Sequence, residues 1–135
     1  MTTLTLTLAV VAAAALALHL YKRALERRNE RMRQNEYRTA ETLWHFARSI
    51  KAHTDEMINR GVQVLDFSKI LVPSGIGYKI SLELSGPRFR IYAVPERYNR
   101  TGCLSFYVDN TLTVRASDRA GAPAAESDPE YNPER

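Results

Sequence analysis

Residues 2–21 read TTLTLTLAVVAAAALALHLY, and this stretch holds no Asp, Glu, Lys or Arg. A helix rises about 1.5 Å per residue, so roughly 20 residues cross a hydrocarbon core about 30 Å thick. The run leads directly into Lys22-Arg23, and no Pro or Gly follows until Gly61. The expectation is one long helix, membrane-embedded at its start and soluble at its end, with a small domain after it. The organisation predicted is a transmembrane helix over residues 1–21, a charged then amphipathic helix over 22–60, a connector and sheet over 61–115, and a loose tail over 116–135. With 135 residues in the chain, the part outside the span has room for one small domain.

Charge sharpens the first boundary. Lys22, Arg23, Arg27, Arg28, Arg31, Arg33 and Arg38 face only Glu26, Glu30 and Glu36 in the same stretch, and this imbalance equals the net charge of +4. The remainder is balanced, so no general nucleic-acid surface is expected. The cluster Lys22, Arg23, Arg27, Arg28 and Arg31 reads as a headgroup anchor on anionic lipid. A cleaved signal peptide is the competing reading of the apolar run. Residues 1–8 lack the basic flank such a peptide carries, although Ala15-Leu16-Ala17 resembles a cleavage site. The positive-inside rule would hold the basic flank, and the domain with it, in the cytoplasm.

Further along, Tyr37, Ala40, Leu43, Trp44, Ala47, Ile50, Thr54, Met57 and Ile58 recur at steps of three and four. They form one apolar stripe, with Arg38, Glu41, Arg48, Lys51 and Asp55 largely opposite. Gly61 suits a left-handed helix cap. Val64, Leu65, Phe67, Ile70 and Leu71 are expected to lie on the helix, before turns at Pro73-Ser74-Gly75 and Gly77. The period then changes to two. Tyr78, Ile80, Leu82 and Leu84 alternate with polar residues, and Phe89, Ile91 and Ala93 do the same after the Ser85-Gly86-Pro87 turn. Further strands are expected over 104–108 and 112–115. Short turns between consecutive strands predict an antiparallel meander. The fold class is therefore α+β, with the sheet covering the helix stripe: Tyr37, Leu43, Ala47 and Ile50 are assigned to helix–sheet packing.

Two stretches resemble type IV pilins and type II secretion pseudopilins. In NEYRTAETLWHFARSIKAHTDE, Asn35, Glu36, Ala40, Leu43 and Ile50 match the helix pattern of such proteins. In FRIYAVPERYNRTGCLSFYVDNTLTVRASDRAGAPAAESDPEY, the matches are Ala93, Pro95, Thr101, Gly102, Ser105, Phe106, Tyr107, Asp109 and Arg115, with Ser127-Asp128-Pro129 in the tail. The resemblance spans about residues 35–131. Leu112 stands where the family pattern has a hairpin Gly. The start also departs from it, with no leader ending in Gly-Phe, no early Glu and no helix-kinking Pro.

The resemblance implies a structural subunit of a pilus or secretion assembly, held in the bacterial inner membrane by a single span. Its domain would be periplasmic or extracellular, and a methylated mature N-terminus would follow if a longer precursor exists. It implies as partners membrane lipid, other pilin-like subunits or further copies of the chain, and inner-membrane assembly proteins. Leu8, Val11, Ala15 and Leu18 are assigned to helix–helix packing, where small residues permit close approach. The alternative is a membrane-anchored adaptor that does not polymerise.

No enzymatic chemistry is expected. Cys103 is the one cysteine, which excludes an intrachain disulfide and a Cys-based zinc site. His45 and His53, eight residues apart, lie about 12 Å apart along a helix, too far to share a metal. His19 sits at the end of the apolar run beside Tyr21, an interfacial position. Asp109, Asp118 and Asp128 lack calcium-loop spacing. The Arg88-Phe89-Arg90-Ile91-Tyr92 alternation is what a two-sided strand gives, so neither cofactor nor nucleic acid is expected.

Overall fold

A computed structural model describes residues 2–61, 71–74 and 76–134. The chain divides into two compact units, Met1–Arg31 and Met32–Arg135. Helix α1 runs over Thr2–Asn59 and contributes to both. Its composition explains its length: Ala, Leu, Arg and Glu make up about half of it, and no Pro or Gly interrupts it. It ends at Gly61, which adopts φ +73° and needs no Cβ clearance there.

In the first unit every described residue is exposed. One window of α1 near the N-terminus is long and apolar enough to cross a membrane, and none of that window is buried within the chain. The hydroxyls inside it are internally satisfied: Thr5 donates to the Thr2 carbonyl at 2.9 Å and Thr7 to the Thr3 carbonyl at 2.7 Å. That is the form in which threonine is tolerated in hydrocarbon.

The second unit is an α+β domain. Four strands, β1 (Tyr78–Ser85), β2 (Arg88–Pro95), β3 (Leu104–Asp109) and β4 (Arg115–Asp118), form an antiparallel sheet in the order β1-β2-β3-β4. Register follows the period-two pattern. Leu82 pairs with Ile91, Ala93 with Phe106, and Phe106 with Ala116, so one sheet face is apolar up to Asp118, which closes it opposite Leu104 at the end of β4. That face meets Leu43, Ala47 and Ile50 of α1, and the core comprises these three with Ala40, Phe46, Tyr78, Phe89, Ile91, Ala93, Phe106, Val108 and Ala116. Helix and sheet each bury the face that the other would leave in water.

Several expectations need correction. Tyr37, assigned to helix–sheet packing, is 47% exposed; it stands at the edge of the stripe, and its hydroxyl turns toward Glu41 at 3.5 Å. Leu71 is 90% exposed rather than laid on the helix. Val64, Leu65, Phe67 and Ile70 lie outside the described residues. Leu84 is largely exposed at the far end of β1. The fourth strand begins at Arg115, not Leu112. Leu112 adopts φ +59°, closing a turn in which its N–H bonds the Asp109 carbonyl at 3.0 Å. This is a left-handed position, and Leu there costs about 1 kcal/mol.

The largest correction is the tail. Residues beyond β4 fold back as an ordered strap. The Ala116 N–H donates to the Pro129 carbonyl at 3.0 Å and the Tyr131 N–H to the Val114 carbonyl at 2.8 Å, and Arg115 bridges Glu130. Val114 thus gives its carbonyl to the tail, on the edge of β4 that faces away from β3. Ala124 and Asp128 are buried, and Tyr131 packs its ring edge on Phe106 with centroids 5.2 Å apart. Composition suggested a solvated tail, but its turns and one buried carboxylate hold it.

Candidate functional site

Two groups of residues separated by the whole connector and two strands meet beside α1. Asn35 donates from Nδ2 to the Thr101 carbonyl at 3.0 Å. Its neighbour Glu36 accepts at one carboxylate oxygen from the backbone N–H of Cys103 at 2.9 Å and of Leu104 at 3.3 Å. The Thr39 hydroxyl locks this turn of helix by donating to the Asn35 carbonyl at 2.7 Å. A half-buried carboxylate is stabilised by such donors, and the donors are spared an unpaired burial.

The loop that is gripped has its own frame. The Thr101 hydroxyl accepts from the Arg97 N–H at 3.1 Å and donates to the Arg97 carbonyl at 3.2 Å, while the Asn99 N–H reaches the Gly102 carbonyl at 2.9 Å. Tyr78 lies against Gly102 and donates to the Leu104 carbonyl at 2.7 Å. A Cβ on Gly102 would collide with the Tyr78 phenol oxygen and come within 2.7 Å of Cζ, so only Gly fits. Burial, and secondarily the negative charge of Glu36, pushes the Tyr78 phenol far above its ordinary range. It is a neutral hydrogen-bond donor.

A second grouping closes the sheet's far end. Asp109 accepts from the Thr111 N–H at 2.9 Å, the Thr111 hydroxyl at 2.6 Å and the Tyr107 hydroxyl at 2.9 Å. Burial alone would raise this carboxyl, but these donors hold it below its ordinary value. Burial, with the hydrogen bond to Asp109, also raises the Tyr107 phenol well above its usual range. Asn110 ties two turns together by accepting the Phe89 N–H at 2.8 Å and donating to the Pro87 carbonyl at 3.2 Å.

The third grouping fastens the strap. Asp128 forms an ion pair with Arg119 and accepts the Ala125 N–H at 2.8 Å. Arg115 donates to the Asp128 carbonyl at 2.9 Å. The Arg119 guanidinium and the Ala125 N–H outweigh the opposing effect of burial and hold the Asp128 carboxyl below its ordinary value.

The residues singled out from sequence therefore have definite places. Thr101 and Gly102 belong to the gripped loop, and Tyr107 and Asp109 to the turn. Phe106 is core, Arg115 supports the strap, and Ser105 is buried in β3 with its Oγ unpaired among the described residues. Leu43, Ala47 and Ile50 are fully buried. Leu8, Val11, Ala15 and Leu18 lie exposed on the apolar window, and Lys22, Arg23, Arg27, Arg28 and Arg31 are exposed just after it. Among the described residues no three His, Cys, Asp or Glu side chains gather as metal ligands. Spacing did not reveal the grip of Glu36 on residues 67 and 68 positions away, since Glu36 reads as one more charge on a charged helix. The pairing of Arg119 with Asp128 was missed because both lie in a stretch whose composition reads as a solvated tail.

The fold and these groupings define a class: an α+β protein whose long N-terminal helix carries a membrane-length apolar segment and then a small antiparallel meander. No family, curated protein or solved structure matches the chain.

Proposed function

We propose that this chain is a pilin-like structural subunit acting by assembly. The observation that carries the reading is the meeting of Asn35 and Glu36 with Thr101–Leu104. Asn35, Glu36, Thr101 and Gly102 are among the positions that carry the resemblance, and the hydrogen bonding there gives the pattern a physical purpose: it fixes helix to sheet. Further support comes from the apolar window, which has no cover among the described residues. On this reading the windows of several copies or related subunits pack through Leu8, Val11, Ala15 and Leu18, first in the bacterial inner membrane and then in a fibre core. The domain stands outside, in the periplasm or beyond, and the tail strap forms part of its outer surface.

Cysteines placed singly at Leu8, Ala15 or Leu18, with Cys103 replaced by Ser, test this in native membranes. Assembly predicts disulfide-linked oligomers whose yield depends on which helix face carries the cysteine. Monomers at every position would refute it. The adaptor reading draws on one observation, the basic flank at residues 22–28, which by the positive-inside rule favours a cytoplasmic domain. A tag on the domain that is reachable only after the membrane is opened would select it.

A further inference from the structure

The two edges of the sheet are finished differently. At β4 the strap closes the edge, since the Ala116 N–H donates to the Pro129 carbonyl and the Tyr131 N–H to the Val114 carbonyl. β1 forms the other edge. The Glu96 N–H donates to the Gly77 carbonyl at 2.8 Å, in the register that pairs Tyr78 with Pro95. Hydrogen-bonded pairs alternate along an antiparallel ladder, so Lys79, Ser81 and Glu83 turn their backbone groups to β2, while Ile80, Leu82 and Leu84 turn theirs outward. Among the described residues no hydrogen bond from outside the sheet reaches those three. Natural edges are blunted by brevity, proline or bulges. β1 has eight residues, no proline, and one-for-one pairing with β2 throughout.

The side chains of this edge are self-complementary. Ile80 and Leu82 pack against the core, so Lys79, Ser81 and Glu83 occupy the opposite, exposed face. Glu83 has Arg90 opposite it on β2 and the Tyr92 hydroxyl at 3.4 Å, whereas Lys79 has Val94 opposite it and no carboxylate. When two copies of β1 are set antiparallel about Ser81, Lys79 of each lies opposite Glu83 of the other. Ile80 then pairs with Leu82, and Tyr78 with the exposed Leu84, in the pairs that exchange both N–H···O bonds. A slip of two residues either way sets Lys79 opposite Ser81 or Ser85 instead, so charge selects the register.

We infer that β1 pairs antiparallel with β1 of a second copy of this chain, joining the two sheets into one across a two-fold axis. The contact is isologous and closes at two copies, so it does not propagate. The axis runs along the sheet normal and sets the α1 segments of the two domains antiparallel, unlike neighbours packed side by side in one bilayer. It is therefore distinct from any packing of the apolar windows and does not rest on the assembly reading.

Single cysteines in the Cys103→Ser background test it, with the full chain in detergent micelles, where copies are free to take either sense. Opposed residues that are not hydrogen-bonded have Cα atoms about 4.5 Å apart, within disulfide reach. Ser81→Cys should therefore cross-link to a dimer under mild oxidation. Lys79→Cys should not, since in this register the two positions lie about 14 Å apart along the strands. In the Ser81→Cys background, Lys79→Glu alone or Glu83→Lys alone makes both facing pairs repel and should lower the cross-linked yield roughly tenfold. Mixing the two variants should restore it, and so should both changes in one chain. Those two rescues separate lost pairing from lost folding. A Ser81→Cys chain that stays monomeric, or Lys79→Cys cross-linking as readily as Ser81→Cys, overturns the inference. So do single reversals without effect, or with an effect that neither mixing nor the double exchange repairs.

Discussion

The two ends of helix α1 are equally helical and differ in what covers their apolar side chains. From Thr39 to Thr54 the stripe is buried against the sheet, with Leu43, Ala47 and Ile50 inaccessible. At Leu4, Leu8, Val11, Leu16 and Leu18 the side chains are more than half exposed. The amphipathic end needs about 100° of its circumference hidden, and one small sheet suffices. An end that is apolar all round has no face to leave in water, and so calls for lipid or other helices on every side. The first end is completed by folding; the second is long and apolar enough to cross a membrane, and none of that window is buried among the described residues.

The comparison breaks most severely at the core. Leu43→Ala is expected to destabilise the domain by about 2–5 kcal/mol, seen as a lower denaturant midpoint, because the cavity lies under an intact sheet. Membrane partition of the full chain should not change. Ala15→Arg is the converse: it should cost roughly 2.5–3.5 kcal/mol of insertion, read as loss from the membrane fraction, with the domain's melting unaltered. If either substitution disturbs both properties equally, the division of labour along α1 is wrong.

The effect of removing the grip is smaller. Glu36→Ala leaves the Cys103 and Leu104 N–H groups without their acceptor and should cost about 1–3 kcal/mol. Amide exchange at Cys103 and Leu104 should quicken more than exchange in β2. Equal quickening across the sheet would show that Glu36 serves general stability rather than the helix–loop joint.

The strap gives the smallest effect and has a definite pH sign. Asp128 is held below its ordinary value by Arg119 first, so its stabilisation is complete above the ordinary carboxylate value, about 3.9, and is lost as pH falls through its folded value. Asp128→Asn should cost about 1 kcal/mol, since Arg119 is substantially solvated, and should remove that acid dependence. Unchanged acid sensitivity of the Tyr131 environment in Asp128→Asn would contradict the role.

How far the sequence revealed this structure depended on whether the signal was local. The helix and the first three strands were legible because periods of 3.6 and two are properties of adjacent residues. The tail was not, because its order comes from a few specific bonds: Asp128 to Arg119, Pro129 to Ala116 and Tyr131 to Val114. Ala, Pro, Ser and Asp in such a stretch are equally compatible with a solvated chain. Tyr37 satisfied the stripe's spacing, but spacing gives an angle around the helix and not the sheet's edge, and it falls just outside. At the Glu36 grip, nothing in the sequence singled out the Cys103 and Leu104 N–H groups, and only the fold showed that they meet the carboxylate.

The central claim is that the N-terminal end of α1 is covered from outside the chain while the other end is covered from within. Its most direct test is a fluorescence-quenching scan of single labels at Leu4, Leu8, Val11, Ala15, Leu18, Arg23, Arg27 and Glu41 in the full chain reconstituted into lipid vesicles. The account predicts that lipid-borne quenchers reach the labels between Leu4 and Leu18, with a switch to aqueous quenchers by Arg27 and at Glu41. Aqueous quenching at Leu8, Val11 and Ala15 comparable to that at Glu41 would contradict it.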